Sequence, residues 1–210
     1  MPKIRIALYP VVFALITGIV LLALLVKDKE LEITPTNTLE KEGVEGYIVV
    51  YQPQPETGEH RYLIIEDRHR EWVDDRPNAE WLVVNERTKV TDSKGKELQA
   101  SALHVGLYVK TWNTGIKDFS FPSQGVATRF ELQVDPVIHK DSNISKALAI
   151  EIALNDMQDE NTIYFVKDAT FNEESLMWEI DLAVYDNPNE SVRVTVNSIT
   201  GEDEINRGQE

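Results

Sequence analysis

Between Ile6 and Val26, in RIALYPVVFALITGIVLLALLVKDKE, run 21 consecutive residues without a charge, and no other feature constrains this chain as strongly. As a helix rising ~1.5 Å per residue the stretch reaches ~31 Å, which matches a hydrocarbon core ~30 Å thick. A cleavable export signal carries an apolar region of only ~7–15 residues and then a small-x-small site. Here Ala23 is followed by Leu24, Leu25 and Val26, and no such pair closes the run. A helix buried in a soluble core keeps a polar face, and this one has none. Residues 6–26 therefore read as an uncleaved transmembrane anchor. Lys3 and Arg5 precede it and Lys27 and Lys29 follow it, so the positive-inside bias is slight. The short charged tail favours an N-terminus inside, with residues 1–5 cytoplasmic and everything after the span extracytoplasmic.

Charge narrows the choice of partners. The chain has 21 basic and 36 acidic residues and a net charge of −15. A surface of that sign repels phosphate backbones and anionic lipid headgroups, which argues against a nucleic-acid partner. The imbalance is concentrated at one end: from Asp141 onward there are 16 acidic and 4 basic residues, against 20 and 17 before it. That shift places a boundary between two separately composed units near residue 140. There is no cysteine, which excludes disulfides, thiolate metal sites, a cysteine nucleophile and a lipid-modified cysteine after the span.

Residues 27–43, KDKELEITPTNTLEKEG, are polar and aperiodic, as a linker would be. Residues 44–138 then offer a series of short strands. GYIVVYQ is followed by the turn-rich PQPETGEH, and RYLIIED and EWLVVNE flank the charged stretch RHREWVDDRPN. Further on, Leu107, Val109 and Thr111 alternate with Tyr108, Lys110 and Trp112, and Phe130, Leu132 and Val134 with Glu131 and Gln133. Alternation of that kind marks half-buried strands. SKG turns the chain, and ASALHVG reads as a short helical or turn element. Five or six short strands separated by turns predict a small closed or nearly closed β-barrel, in an order like that of an OB-type barrel.

GYIVV, TKVTDSKGKELQASALHVGLYVKTW and FPSQGVATRFELQV together resemble a family of exported domains of unknown function found in Bacillus-type bacteria, the YobA-like proteins. The shared cadence covers about 90 residues and consists of structural motifs. The resemblance implies an exported barrel from a Gram-positive bacterium; it carries no catalytic residue.

Residues 141–205 change character. In SNISKALAIEIALNDMQ, Ala147, Ile150, Leu154 and Met157 recur at helical spacing, Leu148 and Ile152 widen the apolar face, and Asp141, Ser142 or Asn143 is available as a cap. IYFV, LMWEIDLAVY and SVRVTVN follow as strands, the last two joined by the turn DNPNE. A helix laid across a small antiparallel sheet is expected. ISKALAIEIA, LMWEIDLAVY and VRVTVNSITGEDEI resemble the PepSY domain, with Asn197 where that family usually has Asp. Asn accepts the same backbone hydrogen bonds, so the turn should survive the exchange. The resemblance implies an extracytoplasmic regulatory or binding module, in some cases one that restrains a peptidase. The last residues, 206–210, form a tail.

Chemistry is sparse. His60, His69, His104 and His139 show no metal-ligand spacing. The best ligand set is His69, Asp74 and Asp75 within residues 66–76, a stretch that reads more simply as a solvated loop of mutually neutralising charges. NDMQDEN, residues 155–161, lacks the ligand pattern of a calcium loop and reads as a helix end trailing into a polar turn. Serine-hydrolase and phosphate-loop motifs are absent from the sequence. The expectation is an α+β, mainly β protein with an N-terminal transmembrane helix, a small OB-like barrel and a PepSY-like helix and sheet. It would need no cofactor, perform no catalysis, and bind or regulate another cell-envelope protein, or inhibit an exported peptidase.

Overall fold

The computed structural model describes residues 40–67, 76–118, 120–133, 139–157, 159 and 161–206. The expected anchor at 6–26, its leading tail 1–5, most of the linker, and His69, Asp74 and Asp75 lie outside the described residues. Contacts divide the chain into Met1–Thr38 and Leu39–Glu210, and everything described belongs to the second unit. Among the described residues no helix is long and apolar enough to cross a membrane.

The unit is mainly β. Seven strands form the first sheet: β1 (Lys41–Gln54), β2 (Glu59–Glu66), β3 (Ala79–Val84), β4 (Lys89–Asp92), β5 (Glu97–Leu98), β6 (Tyr108–Asp118) and β7 (Ser123–Leu132). Their order is β3-β2-β1-β6-β7-β4-β5, and β3 also pairs with β7 in parallel. That last pairing closes β3, β2, β1, β6 and β7 into a five-stranded barrel. β4 and β5 extend the sheet from β7, and the stretch read as helical or turn contains a 3-10 turn at Ala100–Ala102. β1 begins at Lys41, inside the expected linker, because Lys41 and Glu42 pair with Asn113 and Trp112 of β6. Cross-strand partners, not the segment's own polarity, decide where this strand starts.

The uninterrupted apolar runs of β1 and β2 have a physical reason. Ile48, Tyr62 and Ile64 point into the barrel with Leu82, Val84, Val109, Phe130 and Leu132. Their neighbours Tyr47, Val49, Leu63 and Ile65 point outward yet are also buried, in a second core shared with the helix and sheet that follow. Strands covered on both faces lose the alternation seen where one face meets water.

That second layer contains α1 (Lys146–Met157) and strands β8 (Tyr164–Asn172), β9 (Met177–Val184), β10 (Asn187–Asn197) and β11 (Asp203–Asn206). The strands form one antiparallel sheet in the order β11-β10-β9-β8. Ser145 caps the helix, its Oγ accepting the Leu148 N–H at 3.1 Å, rather than Asp141, Ser142 or Asn143. The buried face is Ala149, Ile150, Ala153, Leu154 and Met157, and Leu148 is exposed. The small Ala149 and Ala153 let the helix backbone approach the sheet closely, so the packed stripe is rotated from the one that the larger residues suggest. On the barrel side Gly106, at φ +88°, lies so close to α1 that a Cβ there would fall 2.1 Å from the Ala147 carbonyl oxygen. β8 continues six residues beyond Val166, the end of the apolar IYFV, because a bulge between Val166 and Asp168 reverses its phase.

The turn closing this layer keeps the geometry expected of Asn197. Its Oδ1 accepts the N–H groups of Ile199 at 2.9 Å and Thr200 at 3.1 Å, and its carbonyl accepts that of Gly201 at 2.8 Å.

Candidate functional site

Where the outer wall of the barrel meets the segment after α1, the surface folds in to form a groove of about 540 Å³. Val50 and Gln52 of β1 and Trp81 of β3 form one side, and Asp159, Asn161, Thr162 and Ile163 form the other. Strand period two explains the barrel side: Glu80, Leu82 and Val84 point inward, which leaves Trp81 outward and half-buried. Arg61, diagonal to Trp81 across the β2–β3 ladder, stacks its guanidinium 5.1 Å from the indole centroid and donates to Gln124 Oε1 at 2.8 Å. The guanidinium thereby covers part of the indole face.

The opposite lip is built by a side chain that folds its own turn. Asp159 Oδ1 accepts the N–H of Asn161 at 2.8 Å and of Thr162 at 2.7 Å. These bonds, the one from Asn161 first, hold the Asp159 carboxyl below its ordinary range, so it remains ionised into mild acid. The groove therefore has an apolar centre in Val50, Trp81 and Ile163, amide and hydroxyl groups in Gln52, Asn161 and Thr162, a carboxylate on one lip and a guanidinium behind the indole. Such a lining suits an extended polypeptide segment that places one apolar side chain against Trp81. Reading NDMQDEN as a helix end and polar turn is correct in outline: α1 stops at Met157. What the sequence does not disclose is that the turn faces Trp81 across 80 residues of chain.

A second polar assembly closes one end of the barrel. Glu80 is fully buried, with Oε1 3.0 Å from Lys117 Nζ and 3.1 Å from Asn113 Nδ2. Thr111 donates to the Val44 carbonyl at 2.7 Å, and Asn113 Oδ1 accepts the Gly115 N–H at 2.9 Å. Two glycines make the space: a Cβ on Gly43 would lie 2.5 Å from Thr111 Oγ1, and one on Gly125 would lie 3.2 Å from Glu80 Oε1. The signal in the sequence is a carboxylate in phase with Leu82 and Val84, the inward face of a strand.

The described histidines are dispersed. His60 accepts from or donates to the Tyr51 hydroxyl at 2.9 Å, His104 lies 3.2 Å from Glu151, and His139 stacks on Phe171 with centroids 4.2 Å apart. Among the described residues there is no group of three His, Cys, Asp or Glu side chains placed to hold a metal. His69, Asp74 and Asp75 lie outside them. Of the tryptophans, Trp178 is in the core, Trp81 lines the groove, and Trp112 lies beneath Arg129, 3.5 Å from its guanidinium carbon. Lys110 and Arg129 beside Trp112 are paired with Glu42 at 2.6 Å and Glu40 at 3.8 Å.

No family model matches the chain, and no curated protein and no solved structure is significantly similar to it.

Proposed function

We propose that this chain is a non-enzymatic, membrane-anchored extracytoplasmic protein that binds or regulates another protein of the cell envelope. Residues 6–26 are its anchor, residues 1–5 lie in the cytoplasm and the two-layered body lies outside. The Trp81 groove is the docking site, and the observation that carries the reading is its lining: a half-buried indole flanked by amide, hydroxyl and carboxylate groups in a cleft of about 540 Å³. The barrel is of the OB type, with β1 between β2 and β6 and with β3 parallel to β7. Nucleic acid does not suit it, since Lys110 and Arg129, the cations flanking Trp112, are neutralised by Glu42 and Glu40.

Two experiments test this. Protease added to intact cells should remove the body; complete protection overturns the topology. Affinity capture from membranes with the full chain should retrieve a discrete envelope protein, and Trp81→Ala should lose it, at a cost of about 2 kcal/mol or more for a central aromatic contact. Undiminished capture by Trp81→Ala overturns the groove.

A second reading has support in the turn at Asn197, which makes the backbone bonds that the usual Asp of the PepSY resemblance would make. On that reading the helix and four-stranded sheet are PepSY-like and restrain an exported peptidase. Because Ala149, Ile150 and Ile180 share a core with Tyr47, Val49 and Leu63, the test requires the whole chain rather than residues 141–210. Added full chain should depress a secreted peptidase of the same cell, and unaltered activity of every such peptidase retires the reading.

A further inference from the structure

The largest exposed apolar side chains of the described body are Ile116 at 79%, near the end of β6, and Phe121 at 67%, on the connection from β6 to β7. Apolar side chains that far into water need a reason when they lie towards the same end of one strand pair. The register of the barrel places that end. β1 runs antiparallel to β6, with Lys41 opposite Asn113 and Tyr47 opposite Tyr108. The first residue of β1 is therefore at the hairpin end of the barrel. The side chain of Lys41 lies against Gly115, whose Cβ would be 2.9 Å from Lys41 Cδ. The start of β1 is thus at the same end of the barrel as the β6–β7 connection, and only 14 residues lie between Val26 and Lys41. Fully extended, that many residues span at most ~50 Å.

Cations border the same tip. Lys117 follows Ile116, Lys41 packs below Gly115, and the Arg76 guanidinium lies 5.4 Å from the Phe121 ring. Lys117 Nζ is turned in to Glu80 at 3.0 Å, Asp186 pairs with Arg76 at 3.3 Å, and Asp118 and Glu40 are at the same end, so the tip is of mixed charge. Apolar side chains beside a long aliphatic stem such as that of Lys41 suit the interfacial zone of a bilayer, where rings and branched chains enter ~5–10 Å and an ammonium group remains at headgroup level.

We propose that the β6–β7 hairpin is a lipid-surface contact: Ile116 and Phe121 insert into the outer interface of the membrane and hold the body against the bilayer by its β1-entry end. The inference rests on the reading of residues 6–26 as an anchor and adds an orientation to it. The opposite end of the barrel, with the β4–β5 turn at Lys94, then faces away, since β7 of 10 residues separates the two ends by roughly 30 Å.

The absence of cysteine makes the test clean, because a single introduced thiol is labelled alone. Full chain carrying Asp118→Cys or Lys94→Cys is labelled with an environment-sensitive fluorophore and reconstituted into phosphatidylcholine vesicles that contain brominated lipid. The label at 118 should be quenched several-fold more strongly than the label at 94, and Ile116→Asp with Phe121→Asp should abolish the difference. Equal, weak quenching at both positions overturns the inference. An alkaline wash of the same vesicles separates it from the anchor reading. A chain that stays bound while both labels remain aqueous retains its anchor and loses the hairpin contact. A chain that washes off loses the anchor, and the quenching measured beforehand still decides the hairpin.

Discussion

The sealed end of the barrel and the open face of the second sheet each hold a carboxylate against a cation, in nearly opposite surroundings. Glu80 is fully buried and meets Lys117 at 3.0 Å with Asn113 beside it. Asp181 meets Arg193 through two parallel bonds of 2.7 and 2.8 Å, on a face where half of the arginine side chain is in water. By geometry alone the second pair is the better one. Solvent reverses the ranking of what each costs to break: removing one partner of a buried pair strands an uncompensated charge, whereas an exposed pair exchanges protein contacts for water. The contrast separates residues that hold the body together from those that keep a face soluble.

The largest effect should come from Lys117→Ala. It leaves the fully buried Glu80 without its cation at the barrel end, and denaturant unfolding should register a loss of about 3–5 kcal/mol. Gly43→Ala probes the same assembly without touching a charge. Its methyl would press on Thr111 Oγ1, and the expected loss is about 1–3 kcal/mol. A wild-type midpoint for either variant breaks the distinction between the two regions.

The far part of the barrel core gives a titration of the same principle. Burial first, and then the neighbouring Tyr51, push the Tyr62 hydroxyl from 10.0 up to about 12. A folded value above the unfolded one gives stability that is complete below pH ~10 and is lost as pH rises towards ~12, at up to ~1.4 kcal/mol per unit. Tyr62→Phe should flatten that alkaline decline in unfolding free energy; an unchanged slope contradicts the assignment. The smallest effect belongs to Arg193→Ala, about 0.2–1 kcal/mol and less in high salt. Here the hydrogen bond from Arg193 leads in holding Asp181 below its usual range. The pair's contribution is therefore present above the ordinary carboxylate range and is lost as pH falls below it. A cost for Arg193→Ala equal to that for Lys117→Ala would erase the comparison.

Much of the fold is legible in local periodicity. The alternation in LMWEIDLAVY carries through as buried Trp178, Ile180 and Leu182 against half-exposed Glu179 and Asp181. Gly95 and Asp92 build the turn at SKG, with Asp92 Oδ1 accepting the N–H groups of Lys94 and Lys96 at 2.9 Å. What local pattern does not contain is pairing at a distance. The parallel closure of β3 on β7 joins Glu80 to Ser123, and nothing in either strand announces the other. The bulge in β8 hides half of a strand by reversing its phase. The groove is less legible still, because Trp81 and Asp159 meet only after both layers have packed. Glu80 was within reach, as a charge in phase with Leu82 and Val84, but an inward Glu carries meaning only once the barrel is known to close around it.

The intact mass of the mature chain, isolated from the membranes of its own cells, tests the central claim most directly. A polypeptide that still contains residues 6–26 is the result expected for a body held permanently at the bilayer. A chain beginning beyond Lys27 would contradict it, and with it both the orientation of the hairpin and the setting in which the Trp81 groove would meet its partner.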